Sequence, residues 1–261
     1  MRHCLRNARL VAVTLVAFGA IVSVNANAET IKLVTGNGYK PFADNKLPAG
    51  GLVTDIVRQA YTAAGHSVKI DFMPWRRGER LMAKGKRVAT FPYVKTPERR
   101  KKYIYSDPVF VAEQRPVVYQ DEAGSISSYE DMKGKSICIP VGWKMHNRTI
   151  RKMVDSGDLK EFKPVNIENC FRMMKADHVK FTLLERPTAL HKRQNSSGPA
   201  SNIHMESLTT STSTLHLIFS RDVDTSEDER KRFNNALEKL KKSGKYQEIV
   251  QKHLGSMRSG S

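Results

Sequence analysis

Three aromatic residues stand at corresponding places in the first third of the sequence, where they could line a binding cleft. Tyr39, Trp75 and Tyr93 each lie just after a segment whose alternating apolar residues predict a β-strand. In sheets of parallel strands, ligands bind beyond the carboxyl ends of the strands. Packing in a core explains any one of these aromatics equally well. Three at corresponding places favour the aromatic walls of one ligand pocket.

The segments around these aromatics alternate between strand and helix patterns. Their order is strand 30–35, helix 52–64, strand 68–72, helix 77–84 and strand 88–91. A β-α-β-α-β order predicts parallel strands with helices packed on them. The predicted fold class is therefore α/β.

A second α/β alternation follows in the middle of the chain. Its segments are strand 136–141, helix 146–154, strand 162–165, helix 168–176 and strand 179–184. A Ser/Gly/Pro-rich loop at 195–201 precedes a last strand at 215–219. Two helices close the chain, one opened by a capping box of Ser226 and Glu229, the other running from Tyr246 to Leu254. Residues 256–261 are predicted to be a flexible tail.

The amino terminus has the pattern of a secretory signal peptide over residues 1–28. Arg2, Arg6 and Arg9 precede an apolar run at 10–24, and small residues end the segment at Ala28. The run is shorter than the ~20 residues that span a bilayer. We expect export to the periplasm with cleavage after Ala28. Cys4 precedes the apolar run and no cysteine directly follows the cleavage site, so a lipoprotein is not indicated.

Two features of the remaining chain limit its chemistry. Cys138 and Cys170 are its only cysteines, and in an oxidising compartment they are either a disulfide or two free buried thiols. No metal-ligand spacing such as CxxC or HExxH occurs, and the eight histidines are dispersed. We therefore predict neither a metal nor a cofactor.

The chain is strongly basic, with a formal charge of +18. Removing the three arginines of the signal peptide leaves +15. Such a charge attracts anions and anionic membrane faces at long range. The basic residues are scattered along the chain, so a solvated surface is a better explanation than nucleic-acid binding.

Several short motifs, in this order, resemble the family 3 periplasmic solute-binding proteins, receptors of polar amino-acid ABC transporters. The resemblance covers essentially the whole chain after the signal peptide. The motifs are Tyr39-Lys40-Pro41-Phe42, Gly51 to Ala64, Thr96-Pro97-Glu98-Arg99, Tyr105-Ser106-Asp107-Pro108, Met132-Lys133-Gly134-Lys135, Phe233-Asn234-Asn235-Ala236-Leu237 and Gly244-Lys245-Tyr246.

This resemblance implies a two-lobed periplasmic binding protein fold of type II, with a sheet flanked by helices in each lobe. Lobe 1 would be discontinuous, made of 29–119 and 214–255, and lobe 2 would span 120–213. Two segments, Val117 to Gln120 and Thr210 to Thr214, would form the hinge. Closure would then be a rigid-body motion around a ligand that touches both lobes.

The resemblance also implies roles for individual residues. Arg99 would bind the ligand carboxylate, because a guanidinium fork reaches both oxygens at once. Glu185 would receive an α-ammonium group, although a solvent-facing turn carboxylate explains it equally well. Tyr39 would stack on the ligand and Trp75 would form a second aromatic wall. The full set of predicted ligand contacts is Tyr39, Trp75, Phe91, Tyr93, Arg99, Gly142, Trp143 and Glu185.

The sequence departs from the family pattern at two places in this set. Phe91-Pro92-Tyr93-Val94 replaces a serine-rich segment, and Pro92 has no N–H to donate to a carboxylate. Gly142-Trp143-Lys144 replaces a Gly-Thr-Thr turn. A basic, aromatic pocket of this kind favours an anionic or aromatic solute as an alternative to a polar amino acid.

The implied function is that of a monomeric receptor that passes a small polar solute to an inner-membrane ABC permease. Two alternatives stay open. One is an enzyme similar to cyclohexadienyl dehydratase, which needs a carboxylic acid poised for proton transfer, and Glu185 is the only candidate. The other is a sensor subunit that presents its ligand to a receptor.

Overall fold

A computed structural model describes residues 30–141, 143, 145 and 147–255. Three predictions fall outside these described residues: the signal peptide over 1–28, the tail over 256–261, and ligand contact by Gly142. No helix among the described residues has the length and apolar character to cross a membrane.

Ten strands and eight α-helices make up the described chain. The strands are β1 Thr30–Thr35, β2 Ser67–Phe72, β3 Ala89–Tyr93, β4 Tyr103–Tyr105, β5 Phe110–Tyr119, β6 Ser136–Cys138, β7 Lys160–Phe162, β8 Phe181–Glu185, β9 Ile203–Met205 and β10 Ser211–Ser220. The helices are α1 Leu52–Ala63, α2 Trp75–Ala83, α3 Pro97–Lys102, α4 Arg148–Ser156, α5 Ile167–Lys175, α6 Arg186–Asn195, α7 Ser226–Lys242 and α8 Lys245–Leu254.

The strands form one continuous sheet in the order β2-β1-β3-β10-β5-β8-β6-β7, with β4 on β10 and β9 on β5. Its two ends are parallel, as the alternation of strands and helices predicts: β1 pairs with β2 and β3, and β6 with β7 and β8. The α/β class is confirmed. In the middle, β5 and β10 are antiparallel to each other and to their neighbours.

The long strands β5 and β10 pass from one end of the sheet to the other. Gln114 of β5 pairs with Ser211 of β10 and also with Glu185 of β8, so β5 exchanges partners there. On β10, Leu215 still pairs with β5, while His216 pairs with Tyr93 of β3. Backbone ladders therefore join both halves of the molecule through this pair of strands.

Buried apolar residues form separate cores in the two halves. The main core of the first half draws its members from residues 31–112 and 215–254, and it packs α1 and α7 on the sheet. Two cores of the second half use residues 117–203. Val117 and Val118 pack in these second-half cores. Each half thus has the apolar interior that a stable unit requires.

Several local predictions are wrong by a few residues. The strand predicted at 136–141 ends at Cys138, and the strand predicted at 215–219 begins at Ser211. The strand predicted at 162–165 lies at Lys160–Phe162, and Pro164, which has no N–H for a ladder, follows it. The predicted capping box does not form. Thr225 is the N-cap of α7, and Ser226 is already the first helical residue.

A disulfide joins Cys138 at the end of β6 to Cys170 on α5, with the two Cα atoms 5.6 Å apart. Both cysteines are fully buried in the same core. Thr182 of β8 donates its hydroxyl hydrogen to the carbonyl oxygen of Cys138 at 2.7 Å. The cross-link therefore fixes a helix to the sheet inside the second half.

We predict that reducing this disulfide lowers the free energy of unfolding by about 3 to 4 kcal/mol, because the cross-link restricts the unfolded chain over a separation of 32 residues. Denaturant curves of the same protein with and without reductant measure the effect. Because no residue is substituted, the composition of the core stays the same. Two titratable thiols in protein exported under oxidising conditions and unfolded without reductant would contradict the prediction.

Candidate ligand-binding cleft

A cleft of about 1310 Å³ opens between the two halves, beside the crossing strands. Its walls come from three sources: the loop after β1, the second half with the exposed face of α6, and the crossing strands. The residues that line it are Asn37–Lys40, Asp44–Leu47, Val94, Gln114, Trp143, Ile167, Leu183–Glu185, Thr188, His191, Lys192, Asn195, Ser196 and Ser213.

The loop after β1 is held by a side chain from another element. Gly36 leaves room for the ring of Trp75, since a Cβ at Gly36 would lie only 2.1 Å from Trp75 Cε2. The indole N–H of Trp75 donates to the carbonyl oxygen of Asn37 at 3.0 Å. Trp75 therefore supports the loop from behind. It does not lie among the residues that line the cleft, where the sequence placed an aromatic wall.

Tyr39 and Asp44 shape the same loop at the cleft surface. The Tyr39 ring packs on Phe42 with centroids 4.9 Å apart. Burial and the nearby charge of Glu185 raise the pKa of Tyr39. Burial acts to raise the pKa of Asp44, but the N–H groups of Lys46 and Gly38 that bind its carboxylate, and nearby lysines, lower it overall. Asp44 thus closes the loop as a carboxylate.

Glu185 ends β8 and faces the cleft from the second half. Its part-buried carboxyl accepts a hydrogen bond from the Ser213 hydroxyl at 3.0 Å, and burial raises its pKa. No cation of the described residues forms an ion pair with it. A carboxyl kept from water and without a cation is prepared to receive a positive group.

Arg99, Tyr93 and Trp75 form a stack beside the cleft. The guanidinium carbon of Arg99 lies 4.8 Å from the Tyr93 ring centroid, and Trp75 meets Tyr93 edge to face at 5.8 Å. One guanidinium nitrogen is 3.5 Å from the carbonyl oxygen of Val94, which lines the cleft. Arg99 is half-buried and, like Glu185, has no ion pair among the described residues.

The remaining predicted contacts differ in exposure. Trp143 lines the cleft and is 48% exposed, so its indole is free to meet a ligand. Phe91 is fully buried in the core of the first half. Its side chain is not open to the cleft, because β3 lies between β1 and β10 and both faces of such a central strand are covered. The structure thus brings Tyr39, Trp143 and Glu185 to one cleft, places Arg99 against Val94 beside that cleft, and separates Phe91 from it.

Several cleft residues escaped the sequence analysis because β5 and α6 were not predicted and the last strand was predicted to begin only at 215. Gln114, Ser213 and His191 are the main ones. Pro187, in the first turn of α6, was a usable helix-start signal. Among the described residues, no group of three side chains is arranged to hold a metal ion.

Two α/β halves, joined by crossing strands with a polar cleft between them, define a two-lobed binding protein of the type II periplasmic fold. The chain belongs to the bacterial extracellular solute-binding proteins, family 3, whose family model matches residues 31–256. No curated protein sequence matches it at a significant level.

Solved structures of amino-acid receptors share this fold. The second substrate-binding domain of a putative amino acid ABC transporter from Streptococcus pneumoniae is 16% identical, with a TM-score of 0.72 over 86% of this chain and 100% of that chain. Substrate-binding domain 2 of Lactococcus lactis GlnP, in open conformation, is 14% identical with a TM-score of 0.73, over 88% and 97%. An ancestral arginine-binding protein bound to arginine is 25% identical with a TM-score of 0.59, over 87% and 98%.

We predict that Glu185→Gln makes the ligand-free protein more thermostable at neutral pH. The folded-state pKa of Glu185 is raised, so the folded protein holds this proton more tightly than the unfolded chain. Its contribution to stability is therefore greatest below the unfolded pKa and is lost as the pH rises through the folded pKa. Melting temperatures at pH 4 and pH 7.5 measure the effect, with the gain confined to pH 7.5.

The matched control is Asp121→Asn, which removes an exposed carboxylate without an ion pair among the described residues. We expect it to leave the melting temperature nearly unchanged at both pH values. A Glu185→Gln protein that is less stable than wild type at pH 7.5 would contradict the prediction.

Proposed function

We propose that this chain is the extracytoplasmic solute receptor of an ABC importer, and that it captures a small amino-acid-like or anionic solute by lobe closure. One observation supports this most directly. Glu185 and Arg99, at or beside the cleft, carry opposite charges and have no ion partner among the described residues. A zwitterion supplies both missing partners, with its ammonium at Glu185 and its carboxylate at Arg99.

Lobe closure follows from how the halves are connected. We propose residues 29–119 with 214–255 as lobe 1 and 120–213 as lobe 2. The separate cores support this division except at Val117 and Val118, which pack in the cores of the second half. The exchange of partners on β5 at Gln114 supports a bending point slightly before the predicted Val117–Gln120 segment. A ligand that touches both lobes binds the closed form better, and that difference in affinity drives closure.

The family assignment and the amino-acid receptors of similar fold support delivery of the solute to a membrane permease. We propose that the protein works in the periplasm as a monomer, binds no nucleic acid, and performs no chemistry on its ligand. Turnover of prephenate or arogenate by the purified protein would show that the scaffold serves an enzyme instead.

We predict that Arg99→Ala weakens ligand binding by about 2 to 5 kcal/mol, since it leaves a desolvated ligand carboxylate without its partner. The ligand is first identified by mass spectrometry of what co-purifies and by the rise in melting temperature with each of the common amino acids. Calorimetry then compares wild type, Arg99→Ala and the control Arg100→Ala. Arg100 is exposed on the same helix, and we expect its loss to change the affinity little. Equal affinities of all three proteins would rule out this role for Arg99.

We also predict that the same ligand lowers the radius of gyration in small-angle scattering and changes the tryptophan fluorescence. The only two tryptophans lie at the cleft or behind its loop, so closure alters the surroundings of both. A ligand that leaves scattering unchanged, and that binds Tyr39→Ala and Trp75→Ala proteins with full affinity, would place the pocket elsewhere.

A further inference from the structure

Beyond Glu185, one face of α6 continues along the cleft. Thr188 lies three and four residues before His191 and Lys192, and these lie four and three residues before Asn195, so the four share this face of the helix. Because an α-helix rises 1.5 Å per residue, His191 stands about 9 Å along the helix axis from Glu185. The cleft therefore extends past the positions that hold the ammonium and carboxylate groups of an amino acid.

This extension of the cleft is electrically positive. Lys40 and Lys46 line the cleft from the loop after β1, and the charge of Lys40 acts on His191. Neither ammonium forms an ion pair with a described residue. Asp44 is a carboxylate near both lysines and offsets one of their two positive charges. The charge of Lys192 is balanced by an ion pair with Glu168 outside the cleft. The loop after β1 thus keeps one net positive charge that can attract an anion.

The nearby lysines affect the protonation of His191. Burial, Lys40 and Lys192 lower the pKa of its imidazole, against an opposing effect of Asp44. On its own helix, the side-chain amide nitrogen of Asn195 lies 3.3 Å from His191 Nδ1. The imidazole is therefore largely uncharged at neutral pH in the ligand-free protein. An anion placed beside it would favour its protonated form, which can donate a hydrogen bond to that anion.

We infer that the cleft selects amino acids that carry a second acidic group, and that Lys40 and His191 bind this group. The inference rests on the proposed function, in which Arg99 and Glu185 hold the α-carboxylate and the α-ammonium. A side-chain carboxylate and a side-chain phosphate offer the same chemistry to a lysine and a protonated histidine. A basic side chain at the same place meets repulsion from Lys40, which disfavours arginine and lysine as ligands.

Calorimetry with pairs of nearly equal shape tests the inference. The pairs are L-glutamate with L-glutamine, L-aspartate with L-asparagine, and O-phospho-L-serine with L-serine. We expect the acidic member of at least one pair to bind ten-fold tighter or more, and the pair with the largest ratio distinguishes carboxylate from phosphate. We expect Lys40→Gln and His191→Gln each to reduce that ratio several-fold. We expect the control Lys101→Gln, at an exposed lysine of α3, to leave the affinity ratio unchanged.

Proton uptake gives an independent measurement. The acidic ligand raises the pKa of His191, so binding takes up a proton near pH 7.5, and heats of binding in phosphate and Tris buffers differ accordingly. Any proton exchange at Glu185 is the same for both members of a pair. The difference in proton uptake between glutamate and glutamine therefore reports on His191 alone. We expect this difference to vanish in His191→Gln.

Three results separate failure of the inference from failure of the proposed function. If in all three pairs the neutral member binds as tightly as its acidic partner, or if neither variant changes the ratio, the inference is overturned and the receptor function stands. If no amino acid binds but a co-purifying solute does, only the inference is overturned. If neither binds the wild-type protein, the proposed function falls, and the inference with it. Melting curves confirm that each variant is folded.

Discussion

The backbone pairing of β5 with β10 and β8 is the constraint on which the cleft depends. Because Gln114 pairs with Ser211 on one side and Glu185 on the other, three residues from distant parts of the sequence meet at one level of the sheet. Ser213, two residues along β10, then reaches the Glu185 carboxyl. Ladder hydrogen bonds fix this register, since a shift by one residue would turn every side chain to the opposite face.

The cleft combines desolvation with unpaired charge, which is costly for stability and useful for binding. Glu185 is kept partly from water without a cation, and Arg99 rests on the Tyr93 ring without an anion. Neither arrangement gives the folded protein the gain of an ion pair. In the proposed function, both become favourable when a ligand supplies the opposite charge. Binding sites commonly give up some stability in this way.

The charges on the outer surface behave differently from those in the cleft. Many outer charges form exposed pairs three or four residues apart on one helix, such as Arg230 with Glu227 and Lys242 with Glu238. Exposed pairs of this kind contribute little to stability. The net charge of the chain still attracts anions at long range. It therefore acts in the same direction as Lys40 and Lys46, which line the cleft.

The sequence by itself determined the class and most of the elements, because strands and helices leave periodic apolar patterns that depend only on local geometry. Strand β1 and helix α1 follow the predicted bounds to within a residue, and Tyr39 and Glu185 were recognised at strand ends. Tertiary structure alone decided that Phe91 is enclosed in the core and that Trp75 supports a loop. It also brought Gln114, Ser213 and His191 to the cleft. These outcomes depend on which strands become neighbours, and strand pairing joins residues far apart in the chain through backbone groups that every residue shares.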